Sequence, residues 1–161
     1  MVGVVFPIED WEPNVLELSS TLGNISTKLI SFELKRSLSL GNLRESFFQT
    51  VSNSSWANEA YLVAADISLD ADFQSELKRL STSFGVGIIR LDTAEPNSSE
   101  ILLPANERES LDWETMNKLA EMNDDFRQFL KRIKTDIHSR EIRKEKYDKV
   151  RSDEELVKLL N

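Results

Sequence analysis

The sequence predicts an α/β protein: a mixed β-sheet flanked by helices, followed by an α-helical C-terminal extension. Three observations predict it. Apolar runs of strand length, "STKLISFELK", "AYLVAA" and "VGIIRL", are separated by stretches whose apolar residues recur at helical spacing. Strands that alternate with helices form a sheet joined by crossover helices. Beyond Leu111 strand-like runs give way to helical periodicity.

In chain order, "NVLELSS" follows Pro13, alternates, and predicts a first strand. A turn at Gly23-Asn24 would join it to "STKLISFELK" as a β-hairpin. Leu40, Leu43, Phe47 and Val51 then predict a helix that starts near Ser39 or Gly41-Asn42 and ends about Ser52. "AYLVAA" (Ala60–Ala65) reads as a buried strand. Phe73, Leu77, Leu80 and Phe84 put a helix over about Ala71–Ser83. "VGIIRL" (Val86–Leu91) is a further buried strand, with Gly85 as helix stop and Gly87 as a close-packed strand entry. "EILLPA" adds an edge strand ending at Pro104. One long helix is expected from Leu111, with Trp113, Met116, Ala120, Phe126, Leu130 and Ile133 apolar. "REIRKEKYDKVRSDEELVKLLN" adds one or two more, the last capped by Ser152 with Glu155 three residues on. The division is an α/β core over 1–108 and a helical extension over 109–161, packed on the core or projecting from it.

Composition removes several function classes. With no cysteine among 161 residues there is no disulfide framework, thiolate zinc site or cysteine nucleophile. No apolar stretch is long enough to span a membrane, and "MVGVVFPIEDWEPN" lacks the basic and apolar regions of a secretory signal, so a cytoplasmic protein with no membrane partner is expected. A net charge of −8 opposes a general grip on nucleic acid. It is unevenly spread. From Arg127 onward 11 Lys and Arg face 7 Asp and Glu, a net of +4, which leaves 9 and 21, a net of −12, before it. The cations Lys131, Arg132, Lys134, Arg140, Arg143 and Lys144 could meet phosphates; the interleaved Asp136, Glu141 and Glu145 favour intrahelical ion pairs.

The unusual feature lies in "FELK". Alternation puts Ile30, Phe32 and Leu34 on one face, which should pack against a helix, and Ser31, Glu33 and Lys35 on the other. An isolated Glu-x-Lys is most often a plain ion pair where a strand leaves the core. Here Asn14 precedes it, directly after Pro13, and a helix with Gln49 and the strand "AYLVAA" follow.

"P-N … F-E-L-K", then helix and strand in this order, resembles the PD-(D/E)XK nuclease superfamily, whose fold is restriction-endonuclease-like. "NLRESFFQTVSNSSWANEAYLVA … ELKRLSTSFGVGIIRLD … EILLPA" also looks like restriction-endonuclease-related proteins in which this domain follows a helix-turn-helix module. The resemblance covers about Trp11 to Ala105. It implies a Mg²⁺-dependent (or Mn²⁺-dependent) DNA endonuclease in a restriction or mobile-element defence setting. Asn14, Glu33 and the Leu34 carbonyl would ligate the metal, Lys35 would orient water or stabilise charge, and Gln49 would point at the site. In such chemistry carboxylates on adjacent strands hold a hard cation that neutralises the phosphodiester and activates water.

The departure is Asn14, where the family has aspartate: an amide oxygen brings no charge. Glu12, with Glu9 and Asp10 nearby, could supply a migrated carboxylate, whereas Glu17 points to the opposite face. The rival reading is therefore a non-catalytic module that keeps the fold and binds nucleic acid or forms a homodimer. A third reading has Glu33 and Lys35 merely paired. Gln49 is as well explained by solvent exposure, His138 by a helix end, and Trp56 and Tyr61 by core or edge positions.

Overall fold

The longest strand, β2 (Lys28–Leu38), organises the sheet. In a computed structural model, which describes residues 1–6, 11–21, 27–139 and 141–148, β1 (Val2–Val5) runs antiparallel to it on one side. On the other side β3 (Glu59–Ile67) and then β4 (Gly87–Arg90) run parallel to it. β5 (Glu100–Leu103) closes the row antiparallel to β4, giving the order β1-β2-β3-β4-β5. The helices are α1 (Pro13–Thr21), α2 (Leu43–Ser52), α3 (Ala71–Phe84), α4 (Trp113–Met122) and α5 (Asp124–Ser139). The chain is thus an α/β protein with a five-stranded mixed sheet. Among the described residues no helix is long and apolar enough to cross a membrane.

The register shows which face does what, because residues side by side in neighbouring strands point the same way. Ser31, Glu33 and Lys35 stand beside Ala60, Leu62 and Ala64, and Leu62 stands beside Ile88. On this side Ala60, Leu62, Ala64 and Ile88 pack with Phe47 of α2 and Phe73, Leu77 and Leu80 of α3. Val2 and Val4 stand beside Ser31 and Leu29. They belong to a second cluster with Trp56, Met116 of α4 and Phe126, Phe129 and Ile133 of α5. All four helices α2–α5 therefore pack on the face that carries Glu33 and Lys35.

The expectation that Ile30, Phe32 and Leu34 pack against a helix is overturned. Together with Val5, Tyr61, Val63, Ile89 and Ile101 they form the opposite face, where Leu34 is 45 %, Val5 50 % and Ile101 61 % exposed while Tyr61 and Val63 at its centre are buried. Tyr61 stacks on Phe32 with ring centroids 6.0 Å apart. It also lies over Gly87, where an added Cβ would run into its ring and stand 2.7 Å from the Ala105 amide nitrogen.

Local signals explain the helices. Asp70 caps α3 by accepting from the Phe73 N–H at 2.9 Å, and Gly85 ends it in the left-handed region at φ 69°. The single long helix expected after Leu111 is two helices. Asp112 caps α4 through the Thr115 N–H (2.9 Å), and extended Asn123 breaks the chain and accepts from the Phe126 N–H (2.9 Å) to start α5. Asp124 and Asp125 in its first turn suit the positive helix end. Trp113, expected on the apolar stripe, is exposed, while Phe129 is buried.

The first strand is the larger correction: "NVLELSS" is helix α1, and β2's antiparallel partner is Val2–Val5. Pro13 suits a first helical position, having no N–H to satisfy, and the Asn14 N–H donates to the Glu12 carboxylate at 2.9 Å. With β1 and β3 holding both sides of β2, a helix satisfies this segment's backbone within itself. The turn at Gly23-Asn24 and the C-terminal helix capped by Ser152 lie outside the described residues.

Asp136 of α5 is buried and accepts from the Tyr147 hydroxyl at 3.0 Å and the Arg143 N–H at 3.3 Å, tying segment 141–148 to α5. Burial, then Asp136, raises the Tyr147 hydroxyl above its ordinary value, and burial with Glu59 raises that of Tyr61. Both groups favour the folded state while protonated; that contribution is whole below pH 10 and fades as the pH climbs toward the folded values. An alkaline titration followed by phenolate absorbance should therefore show neither of the two tyrosines ionising at its ordinary value of 10. Gly87→Ala should destabilise the fold by about 1–3 kcal/mol, measured by urea unfolding, because Tyr61 and the Ala105 backbone cannot both retreat.

Candidate functional site

β2 and α2 bring three of the sequence-predicted residues together. Lys35 Nζ stands 2.9 Å from Glu33 Oε1 along the same strand face and donates to Gln49 Oε1 at 2.6 Å. The side chains of Glu33 and Lys35 are each about one quarter exposed. Gln49 faces inward enough to meet them because α2 lies over this side of the sheet, one turn past Ser46 and Phe47, which are buried. One ammonium thus serves a carboxylate and an amide oxygen. The positive charge is thus shared between two acceptors.

The remaining expected ligands are placed elsewhere. Asn14 lies on α1, not on a strand beside β2, and its side-chain amide donates to Glu12 at 2.9 Å. Nothing among the described interactions joins it to Glu33. Glu12 is engaged with Asn14 through both carboxylate oxygens; Glu9 and Asp10 lie outside the described residues. The Leu34 side chain is on the opposite face. Phe32 exchanges both backbone bonds with Met1, each at 3.0 Å. The Leu34 carbonyl, two residues on, therefore points to the same side of β2, past the last paired position of β1.

A Mg²⁺ ion needs several oxygen ligands at near-octahedral geometry. Here one carboxylate is ion-paired to a lysine, and no group of three His, Cys, Asp or Glu that could hold a metal occurs among the described residues. The donor set does not fit the metal that the resemblance implies, so no step is routed through one.

Glu33 also lines a broad cleft of about 1700 Å³ between β1, the end of α2, and α4, α5 and segment 142–148. Its walls include Trp56, Phe126, Phe129 and Tyr147, with Arg132 at the side. Sequence reading gave Trp56 a core or edge position; it is buried, and its Nε1–H donates to the Asn53 carbonyl at 2.8 Å. It did not join these aromatics to Glu33, because that juxtaposition depends on how α4 and α5 dock. Of the expected intrahelical pairs on α5, Asp136 instead turns inward, and Lys131, Arg132 and Lys134 are exposed without a described carboxylate partner. His138 is exposed in the last turn of α5.

No family model, curated protein or solved structure matches the chain. The site must therefore be read from its geometry. Lys35→Met should leave Glu33 and Gln49 without their shared donor and cost about 1 kcal/mol in urea unfolding, while Glu33→Gln, which keeps an acceptor for Lys35, should cost less.

Proposed function

We propose that the chain is a non-catalytic interaction module on a scaffold of the restriction-endonuclease-like kind. The observation that carries this reading is the engagement of Glu33 by Lys35 at 2.9 Å, with no group of three metal-ligating side chains among the described residues. The placement of the Glu-x-Lys motif on β2, Gln49 on the following helix and a parallel strand after it supports descent from such a scaffold. No metal-holding group of acids occurs among the described residues, and the lysine that would assist water is engaged with two acceptors.

The test is cleavage of supercoiled and branched DNA with Mg²⁺ or Mn²⁺ by wild type, Glu33→Ala and Asn14→Asp. The expected result is no cutting by any of them. Asn14→Asp should not restore activity, because that position is on α1 beside Glu12. Cutting by wild type that vanishes in Glu33→Ala would overturn the reading in favour of a Mg²⁺-dependent nuclease.

A second reading, that the partner is nucleic acid, is favoured by one observation: Lys131, Arg132 and Lys134 are exposed on α5 with no described carboxylate paired to them. It predicts DNA affinity that weakens steeply with salt and falls when these three are changed to glutamine, measured by fluorescence anisotropy.

A further inference from the structure

β1 is an edge strand: β2 lies on one side of it and no strand lies on the other among the described residues. Its backbone bonds can be assigned position by position. Met1 and Phe32 exchange both bonds at 3.0 Å. Antiparallel ladders alternate, so the next pair to do so is Gly3 with Ile30. Leu29, opposite Val4, fits that alternation. Its N–H donates to the Asn58 side chain at 2.8 Å and its carbonyl accepts from the Asn58 N–H at 2.9 Å, both on the β3 side. The N–H and C=O groups of Val2 and Val4 therefore point outward from the sheet, and no hydrogen bond from another described residue meets them.

That edge opens on the cleft of about 1700 Å³ that also reaches Glu33. Val2, Val4 and Glu33 lie on the helix-covered face and Gly3, Val5 and Phe32 on the opposite one, yet all six line the same cleft. A single cavity touched from both faces of β1 passes around the strand's free edge. Its far wall is apolar, formed by Trp56, Phe126, Phe129 and Tyr147.

We propose that this cleft binds an extended peptide of a protein partner, which adds to β1 as a sixth strand. The backbone selects the class of ligand. N–H and C=O groups alternating along one line match another strand, whereas a phosphate backbone offers acceptors alone and would leave the Val2 and Val4 carbonyls unmet. Antiparallel pairing, the more stable kind, places opposite Val2 and Val4 residues that bond to them and share their face. Those side chains enter the aromatic wall, so apolar residues at every second position are favoured. Charge selects further. Asp125, Glu145 and Asp148 line the cleft and are exposed, against Arg132 and Lys144, on a chain of net charge −8, which favours a strand that also carries cations. The inference rests on the interaction-module reading and names its partner, yet the two fail separately: DNA cutting refutes that reading, and absence of peptide binding refutes this one.

Fluorescence anisotropy with the full chain and a labelled probe, Lys-Thr-Val-Thr-Val-Thr-Val-Lys, tests it. Saturable binding with a Kd of about 10 µM is expected. N-methylation of the probe's valine amides should abolish binding, and N-methylation of its threonine amides, which face away from β1, should spare it. Val4→Pro removes one outward N–H and leaves the bonds of Gly3 and Val5 to β2 in place, so the variant should fold and bind about tenfold more weakly. Glutamate in place of both probe lysines should weaken binding about threefold. In the free chain the Val4 amide should exchange rapidly with solvent, and the probe should protect it. Far-UV circular dichroism checks folding; if Val4→Pro does not fold, the methylated probes decide. No binding, indifference to which amides are methylated, or a folded Val4→Pro variant that binds normally would each overturn the proposal. So would displacement of the probe by single-stranded DNA, or a Val4 amide protected in the free chain, which marks an edge already covered by the chain itself or by a second copy.

Discussion

The parallel run β2-β3-β4, with strands adjacent in both sequence and sheet, constrains everything else in the molecule. Both crossovers step in the same direction across the sheet. The handedness of βαβ units then sends α2 and α3 to the same side, which is where the register finds them. The antiparallel strands β1 and β5 extend the sheet at its two edges. α4 and α5 join α2 and α3 on the covered side through Leu29, Val2 and Val4. An α/β sheet of this size commonly has helices on both faces; here α2–α5 all pack on one.

The same constraint determines what Glu33 and Lys35 become. Their face is the helix-covered one, so the pair is partly withdrawn from water and each charge needs a partner. Lys35 supplies one to Glu33, and α2 supplies Gln49 to Lys35. A metal site at this position would need a second acid arriving on the neighbouring strand. β1 brings valine, glycine and a backbone bond from Met1 to Phe32 instead. The polar cluster is complete as protein alone.

Much of this was legible in the sequence, and what was not has a physical cause. α2, β3, α3, β4 and β5 could be read because periodicity, the Asp70 cap, Gly85 and Pro104 all agree there. Strand alternation put Glu33 and Lys35 on one face, whereas Gln49 joined them only through the resemblance, its own helical position fitting solvent exposure equally. "NVLELSS" misled because Val15, Leu16 and Leu18 fit a strand and a helix equally. The choice depended on a long-range fact, that Val2–Val5 already pairs with β2. The break at Asn123 is a capping effect that apolar periodicity, unbroken across it, hides. Which face of β2 is covered was illegible for a deeper reason. Alternation separates two faces but cannot say which one receives the helices, and the more apolar face, with Phe32 and Leu34, looked like the core.

That inversion bears directly on function. A strand that places its largest apolar groups on the uncovered side and its charged pair on the covered side is arranged against the usual economy of burial. Each half of the arrangement needs its own compensation. The charged half has it within the chain, in Gln49 and the ion pair. The apolar half is compensated only in part, by Tyr61 stacking on Phe32 and by neighbours that shield Val63, while Leu34, Val5 and Ile101 remain in water. The exposed apolar groups and the covered charged pair are thus two consequences of one choice, the side of the sheet on which α2 and α3 cross.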